Sequence, residues 1–473
     1  MNTLSKDQIE DLSLFKKLSD GNFEQNDNRS KLDELKLDDE FISLWNTLND
    51  DEKTEFSAKY FIADCENYYN FFRENNFKDS RKTSLKMKKY FEKERLVSIN
   101  EAKMIFGFNS TSPINTAARQ IKVGKRVGNA QLKFTLSDME KIRKHIIKTQ
   151  SRGERLKVGK ERFGGQEPFF LCINQYKGGV GKTTVATNFV RYLALKGYKV
   201  LLIDLDIQSS ASYICRNMTH WDFRHLDKKK KTATFLMTET KEKEPWKEIE
   251  VLKTNWENID LLPGHSVLSE AETVLNKFEN DFFEKLDHAR SAGAFNDYDV
   301  VVFDTAPNFS NLTLNAIWVS DGIIMPCYPS MLTQHSMVEL YNYIVSILTL
   351  IDENYHKKPR MIFSKILPTL FSNFGDRSIK DLKQMRNLHQ AINENIVLKP
   401  VMKRQPAISD ATLLSSTIYE FPMDKSTQVA RIMLDEIGAA IENEMIKAWE
   451  FRNKPDKTFI LNELRKIRGL SKS

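Results

Sequence analysis

A chain of 473 residues, 41% of them hydrophobic, has room for about three domains and enough apolar mass to fill their cores. Lysine and arginine number 71 against 64 acidic residues, a formal net charge of +7, which permits a polyanionic partner without requiring one. The cysteines Cys65, Cys172, Cys215 and Cys327 lie far apart, with no CxxC pair and no histidine at ligand spacing. That excludes a disulfide framework and a zinc finger, and predicts reduced thiols in a cytoplasmic protein. No apolar run reaches the length of a membrane span, and the acidic, polar residues 1–20 are unlike a secretion signal.

Residues 1–80 are acidic and place Phe41, Leu44, Trp45 and Leu48 at helical spacing, so they read as packing helices. Two uses fit: a helical bundle with a solvated acidic face, or a dimerisation arm. The composition turns basic at Arg81 and Lys82 and stays so through Arg95. Ser98 then stands where it caps a short helix whose Ile99, Ala102, Ile105 and Phe106 share one face, and Gly107 ends it. Ser112 and Pro113 open a second helix, with Ile114, Ala117, Ala118 and Ile121 facing inward. Two short helices about a glycine turn suggest a helix-turn-helix. The outer side of the second offers Asn115, Thr116, Arg119 and Gln120, side chains that reach base edges and phosphates, and Lys122, Lys125 and Arg126 follow. Residues 131–135 suit a wing strand, and the run from Ser137 to Glu140 predicts a capping box for a basic helix ending at Lys148. Residues 81–150 thus resemble a winged helix-turn-helix domain, with DNA as its expected ligand and a plain helical pair as the alternative. Residues 151–167, polar and glycine-containing, read as a linker.

The apolar run Phe169-Phe170-Leu171-Cys172-Ile173 predicts a buried strand, and residues 185–195 a helix closed by Gly197. Between them lies Tyr176-Lys177-Gly178-Gly179-Val180-Gly181-Lys182-Thr183-Thr184. Glycines let consecutive N–H groups turn in on a phosphate chain, and the new helix brings its positive end to the same place. Lys182 then reaches the terminal phosphates and the Thr183 hydroxyl can ligate Mg²⁺. The usual phosphate loop has glycine where Tyr176 stands; here Lys177 adds a second cation instead. A dinucleotide-binding loop would need a third glycine that is missing.

Residues 199–206 predict a second buried strand, ending in the carboxylates Asp204 and Asp206, a pair able to hold Mg²⁺ or position an attacking water. Residues 220–256 are highly charged and include four lysines at 228–231, a solvated loop or, more sharply, a nucleic-acid contact. Residues 259–264 restore a strand and turn. Val300-Val301-Val302-Phe303-Asp304 matches a Walker B strand, with Asp304 placed to hold the water shell of Mg²⁺ opposite Thr183. Further strands are expected at 322–328, 360–367 and 397–402, and helices at 334–350, 376–394 and 426–449. This alternation implies an α/β fold: a doubly wound, mostly parallel sheet of the P-loop NTPase kind, preceded by the all-α and winged N-terminal region. Residues 457–468 predict a basic amphipathic helix, suited to an anionic membrane, to docking on the body or to covering a partner subunit.

The stretch Lys177 to Thr184 resembles the deviant Walker A loop of the ParA/MinD family of ATPases. Asp204-Leu205-Asp206 with Gln208-Ser209-Ser210 resembles that family's second motif, Ile207 replacing its usual proline. Thr305-Ala306-Pro307 and Leu312-Thr313-Leu314-Asn315-Ala316 resemble its switch region. Over residues 168–444 the chain is similar to ParA partition ATPases, and its N-terminal third to the larger members that carry a helix-turn-helix. The resemblance implies ATP and Mg²⁺ as ligands, with Gly178, Gly179, Val180, Gly181, Lys182, Thr183 and Thr184 on the phosphates. Thr183, Asp204 and Asp304 would serve the metal, with Asp204 on either metal or loop, and Asp206 would orient the hydrolytic water. Lys177 would reach the other subunit's nucleotide across a homodimer. Arg404, Gln405 and Pro406 would lie by the adenine. Arg404, Lys425 and Arg431, with Lys447, would form a surface for non-specific DNA, or else a solvated helix face.

The function so implied is DNA partition: a cytoplasmic, nucleoid-associated ATPase, weak without a centromere-binding ParB-type partner, that also represses its own operator. A membrane-associated MinD-like positioning ATPase using residues 457–473, and a nucleotide-switched repressor, are the alternatives. The expected plan is an arm at 1–80, the winged domain at 81–150, the linker at 151–167, the ATPase domain at 168–449 and the basic helix at 450–473.

Overall fold

Ser98 ends the two-residue strand β1 (Val97–Ser98) and caps α1 (Ile99–Ile105), its hydroxyl accepting the Glu101 N–H at 3.2 Å. Pro113 lies in the first turn of α2 (Ser112–Ile121), and Lys122, in the left-handed region at φ 56°, closes it. The strands β2 (Lys125–Val127) and β3 (Gln131–Phe134) pair antiparallel, and β1 lies on the other edge of β3. The helix α3 (Leu136–Thr149) begins earlier than its sequence suggested. Its cap is reciprocal between Thr135 and Asp138: the Asp138 N–H donates to Thr135 Oγ1 at 3.0 Å and the Thr135 N–H to Asp138 Oδ2 at 3.1 Å. Glu140, expected in that role, instead takes an ion pair from Arg143 at 2.6 Å.

This computed structural model describes residues 95–127, 131–149, 167–216, 232–239, 244–277, 282–357, 359–370, 376–390, 395–421, 423 and 425–453. The expected N-terminal arm, nearly all of the linker, the lysine run at 228–231 and the 457–468 helix lie outside the described residues.

In β4 (Phe169–Ile173) every residue is buried, the mark of a strand covered on both faces. α4 (Lys182–Leu195) leaves the glycine loop and leads to β5 (Val200–Leu205), α5 (Ser210–Arg216), α6 (Ala233–Thr238), β6 (Leu252–Lys253), β7 (Ile259–Leu262), α7 (Leu268–Leu275) and α8 (Lys285–Ser291). There follow β8 (Val300–Thr305), α9 (Asn311–Val319), β9 (Gly322–Cys327), α10 (Met331–Tyr355), β10 (Phe363–Pro368), α11 (Asp376–Gln390), α12 (Pro406–Leu413) and α13 (Gln428–Asn453). The seven-stranded sheet has the order β10-β9-β4-β8-β5-β7-β6, parallel except for the edge strand β6. It is the doubly wound sheet that the alternating pattern implied. Residues 397–402 are the exception among the expected strands: only an isolated bridge links Val397 to Ile366.

Alternate residues of each strand point to opposite faces. Phe169, Leu171, Ile173, Val200, Leu202, Val300 and Val302 share a core with α4 and α13, whereas Phe170, Cys172, Leu201, Ile203, Val301 and Phe303 share another with α7, α8 and α9. The first core does not end at the ATPase body. It continues through Ala102, Ile105, Phe106, Phe134, Ile142 and Ile146, so the winged unit is packed on the α4 side. Charged side chains fasten the junction. Arg143 donates to the Leu195 carbonyl at 2.6 Å, Lys196 to the Ile105 carbonyl at 3.0 Å, and Arg95 to the Tyr419 carbonyl at 2.8 Å.

Candidate functional site

The phosphate loop joins β4 to α4 at the carboxyl edge of the sheet, where open α/β sheets gather their ligands. Gly179 and Gly181 have φ of 72° and 94°, a region that a side chain disfavours, and a Cβ at Gly181 would also stand 2.8 Å from Met402 Cε. From behind, the Thr369 hydroxyl donates to the Val180 carbonyl at 2.7 Å. Lys182, the first residue of α4, is 7% exposed. Burial draws its pKa down, and the charges of Asp304 and Asp206 work against that pull.

Register sets the carboxylates beside the loop. Ile173, Asp304 and Asp204 are aligned across β4, β8 and β5 at the same edge. Thr183 Oγ1 donates to Asp304 Oδ2 at 2.8 Å, while Asp304 Oδ1, also buried, has no protein partner among the described residues. Burial, with Asp204 nearby, pushes the Asp304 carboxyl well above its usual range. A buried carboxylate oxygen without a donor, next to a threonine hydroxyl and a lysine, is the donor set that suits a hydrated divalent cation on a triphosphate. Of the two tasks expected of Asp204, metal and loop, its contacts describe the second. Its Oδ1 accepts the Asp206 N–H at 3.0 Å, and its Oδ2 accepts the Ser212 N–H at 2.9 Å and the Ser212 hydroxyl at 2.6 Å. Burial nevertheless pushes the Asp204 carboxyl up to about 6.

Comparison with known proteins agrees with this geometry. A family model described as an AAA domain matches residues 170–357. A candidate replication protein A of Rhizobium rhizogenes is 28% identical over 367 residues, covering 74% of this chain and 86% of that one. Protein SopA of Escherichia coli is 25% identical over 316 residues, covering 63% of this chain and 76% of its own. A solved structure named Partition Protein is alike in fold, with a TM-score of 0.53 at 16% identity over 80% of this chain and 99% of that one. Over its ATPase domain the chain is similar to the ParA family.

The remaining residues singled out in the sequence fall into three groups. Tyr176, in the place of a glycine, stacks on Phe309 with ring centroids 4.3 Å apart and 6° between planes, and Phe309 stacks on Tyr343 at 4.2 Å. The phosphate loop is thereby tied to the segment after β8 and to α10. Lys177 is half-buried, and its charge opposes the effect of burial that raises the Cys327 thiol to about 12. Arg404 is exposed with its Nε 3.4 Å from the Leu370 carbonyl, and Gln405 precedes Pro406 at the start of α12, one turn of chain from the Met402 that touches the loop.

The basic residues divide. Thr116, Arg119, Gln120, Lys122, Lys125 and Arg126 are exposed on α2 and the hairpin and Asn115 is half-buried, with the Gln120 amide oxygen 2.7 Å from His145 Nε2 of α3. Lys425 is exposed too. Arg431 is not. Expected on a DNA-facing surface, it is 2% exposed, 3.1 Å from Glu101 of the winged unit and 3.4 Å from Asp435, with its guanidinium 4.1 Å above the Tyr419 ring. The correction has a physical cause: a helix reads as solvated until a second layer covers it, and here α1 supplies that layer.

Sequence reasoning passed over Thr369, Asn174 and Thr305. Asn174 Nδ2 donates to Thr305 Oγ1 at 2.8 Å, and Thr305 Oγ1 donates to the Ile173 carbonyl at 3.0 Å, so the ends of β4 and β8 are pinned beneath the loop. Thr305 stood in the recognised motif without a task. Thr369 carried no local signal, because only the pairing of β10 with β9 brings it to the loop.

Proposed function

We propose that this protein is a DNA-partition ATPase that binds ATP with magnesium, dimerises across its nucleotide site, binds DNA, and hydrolyses ATP when a centromere-binding ParB-type protein stimulates it. The observation that carries the proposal is the convergence of Lys182, Thr183, Asp206 and Asp304 on one glycine loop, with Asp304 Oδ1 free of protein donors among the described residues.

Phosphoryl transfer to water asks little covalent chemistry of a protein; it asks for positioning and charge neutralisation. Backbone N–H groups of residues 178–184 receive the phosphate oxygens, and Lys182 offsets the charge that develops on the leaving side. Thr183 and Asp304 would hold the metal, which would supply charge neutralisation on the triphosphate when bound. Asp206 orients the water for in-line attack, and Asp204 fixes Asp206. Lys177 acts on the nucleotide of the other copy, so catalysis and dimerisation are one event. Arg404, Gln405 and Pro406 flank the base.

For DNA, the exposed row on α2 and the hairpin serves the protein's own operator, and Arg404 and Lys425 contribute to non-specific contact with the nucleoid. Phosphate release by the full chain, with and without DNA, tests the ATPase part. Lys182→Ala is expected to lose nucleotide binding, and Asp206→Ala to retain it while turnover falls to a low residual rate and an ATP-bound dimer accumulates on gel filtration. A Lys182→Ala protein with unchanged turnover would sink the assignment.

A further inference from the structure

The residues that hold Asp206 in place form a connected, buried strut that reaches another strand. Gly264, just past β7, donates its N–H to Ser212 Oγ at 3.0 Å. The one hydroxyl proton of Ser212 goes to Asp204 Oδ2 at 2.6 Å, and the Ser212 N–H goes to the same oxygen at 2.9 Å. Asp204 Oδ1 then accepts the N–H of Asp206 at 3.0 Å. Asp204 and Ser212 are both fully buried. Beyond Asp206 the turn closes on itself: the Gln208 N–H donates to Asp206 Oδ1 at 2.9 Å and the Ser209 N–H to the Asp206 carbonyl at 2.9 Å, with Ser209 at φ 57°.

Gly264 also sets this turn by contact. A Cβ there would lie 2.5 Å from the Asp206 carbonyl oxygen and 2.9 Å from Asp204 Cγ, so a side chain at 264 forces the Asp206 backbone outward. The chain just past β7 therefore acts on Asp206 twice, through Ser212 and Asp204 in series and directly through the absence of a side chain at Gly264. The Asp206 carboxylate is one of two, with that of Asp304, whose charge acts on Lys182.

We propose that Ser212 and Gly264 are positioning residues for ATP hydrolysis, fixing Asp206 through Asp204 and through backbone contact. This rests on the reading of Asp206 as the residue that orients the water. An error of a fraction of an ångström in such a group lowers the chemical step and leaves nucleotide binding alone, because the phosphate loop and Lys182 do not belong to the strut.

The test is a double-mutant cycle on the full chain. Turnover is read from single-turnover ATP hydrolysis with enzyme in excess, and affinity from titration with a fluorescent ATP analogue. Ser212→Ala removes the hydroxyl and leaves the Gly264 N–H and one Asp204 bond unmade, so the hydrolysis rate is expected to fall about tenfold or more. Affinity should stay within about twofold, since binding energy common to ground and transition state is untouched. Gly264→Ala, which keeps the hydroxyl, should give the same split, and Ser212→Thr, which restores it, should recover most of the rate. In an Asp206→Ala background, Ser212→Ala should lower the residual rate no further. The proposal is overturned if Ser212→Ala hydrolyses ATP at the wild-type rate, if rate and affinity fall together, or if its effect persists undiminished without Asp206. Asp206→Ala alone separates the two levels: full activity there removes the underlying reading, and the strut's catalytic role with it.

Discussion

Replacing Arg431 by alanine should unfold the protein more readily and leave its DNA affinity close to that of the wild type. The guanidinium is buried between Glu101, 3.1 Å away and itself 3% exposed on its side chain, and Asp435. Removing one member of a buried pair costs about 3–5 kcal/mol, most of it from the charge left behind. Here the abandoned groups keep partners: Glu101 retains Arg95 at 2.5 Å, and Asp435 retains the Tyr419 hydroxyl at 2.8 Å. The lower end of the range therefore applies, about 3 kcal/mol. At a urea dependence of about 2–3 kcal/mol per molar, the midpoint should fall by roughly 1–1.5 M. Urea titration of the full chain, followed by tryptophan fluorescence, reads this directly. A Glu101→Gln, Arg431→Ala pair should destabilise by less than the sum of the single changes, because both disrupt one contact. An unchanged midpoint together with a selective loss of DNA binding would refute the buried-clamp account and return Arg431 to the surface.

Three further outcomes follow from the same geometry. Lys182→Ala should weaken ATP binding at least about a hundredfold by isothermal titration, since a charge-assisted contact to the terminal phosphates is lost. Arg119→Ala and Arg126→Ala should each weaken DNA binding and reduce the slope of log affinity against log salt by about 1, while melting stays within about 0.5 kcal/mol of wild type. A salt titration with unchanged slope would exclude these side chains from phosphate contact. Glu444 is half-buried; burial pushes its carboxyl up, and hydrogen bonds and charge from Lys447 and Lys365 outweigh that and hold it below its ordinary 4.5. The stabilisation it gives is present above that value and lost as pH falls through the lower folded value. Glu444→Gln should therefore melt earlier at pH 7, by about 1 kcal/mol, and match the wild type once the pH has fallen below the lowered folded value.

The sequence by itself determined what local pattern can determine. A glycine loop between an apolar strand and a helix is contiguous, so the phosphate site from Lys177 to Thr184 was legible at once, and the buried runs ending in Asp204, Asp206 and Asp304 fixed which edge of the sheet they share. Strand and helix periods likewise announced a doubly wound sheet. Ends of elements were less secure: the α3 cap is reciprocal between Thr135 and Asp138 while Glu140 pairs with Arg143, and residues 397–402 keep only the bridge of Val397 to Ile366.

Only the tertiary structure decided what lies over a helix. Arg431 sits on α13 in a basic, polar stretch, and its burial depends on Glu101, 330 residues earlier. The same holds for Ser212 and Gly264, which are 52 residues apart and meet only because β7 pairs with β5. A charge or a hydroxyl has one identity in the sequence and two possible fates, solvated or partnered, and the partner is supplied by chain folding.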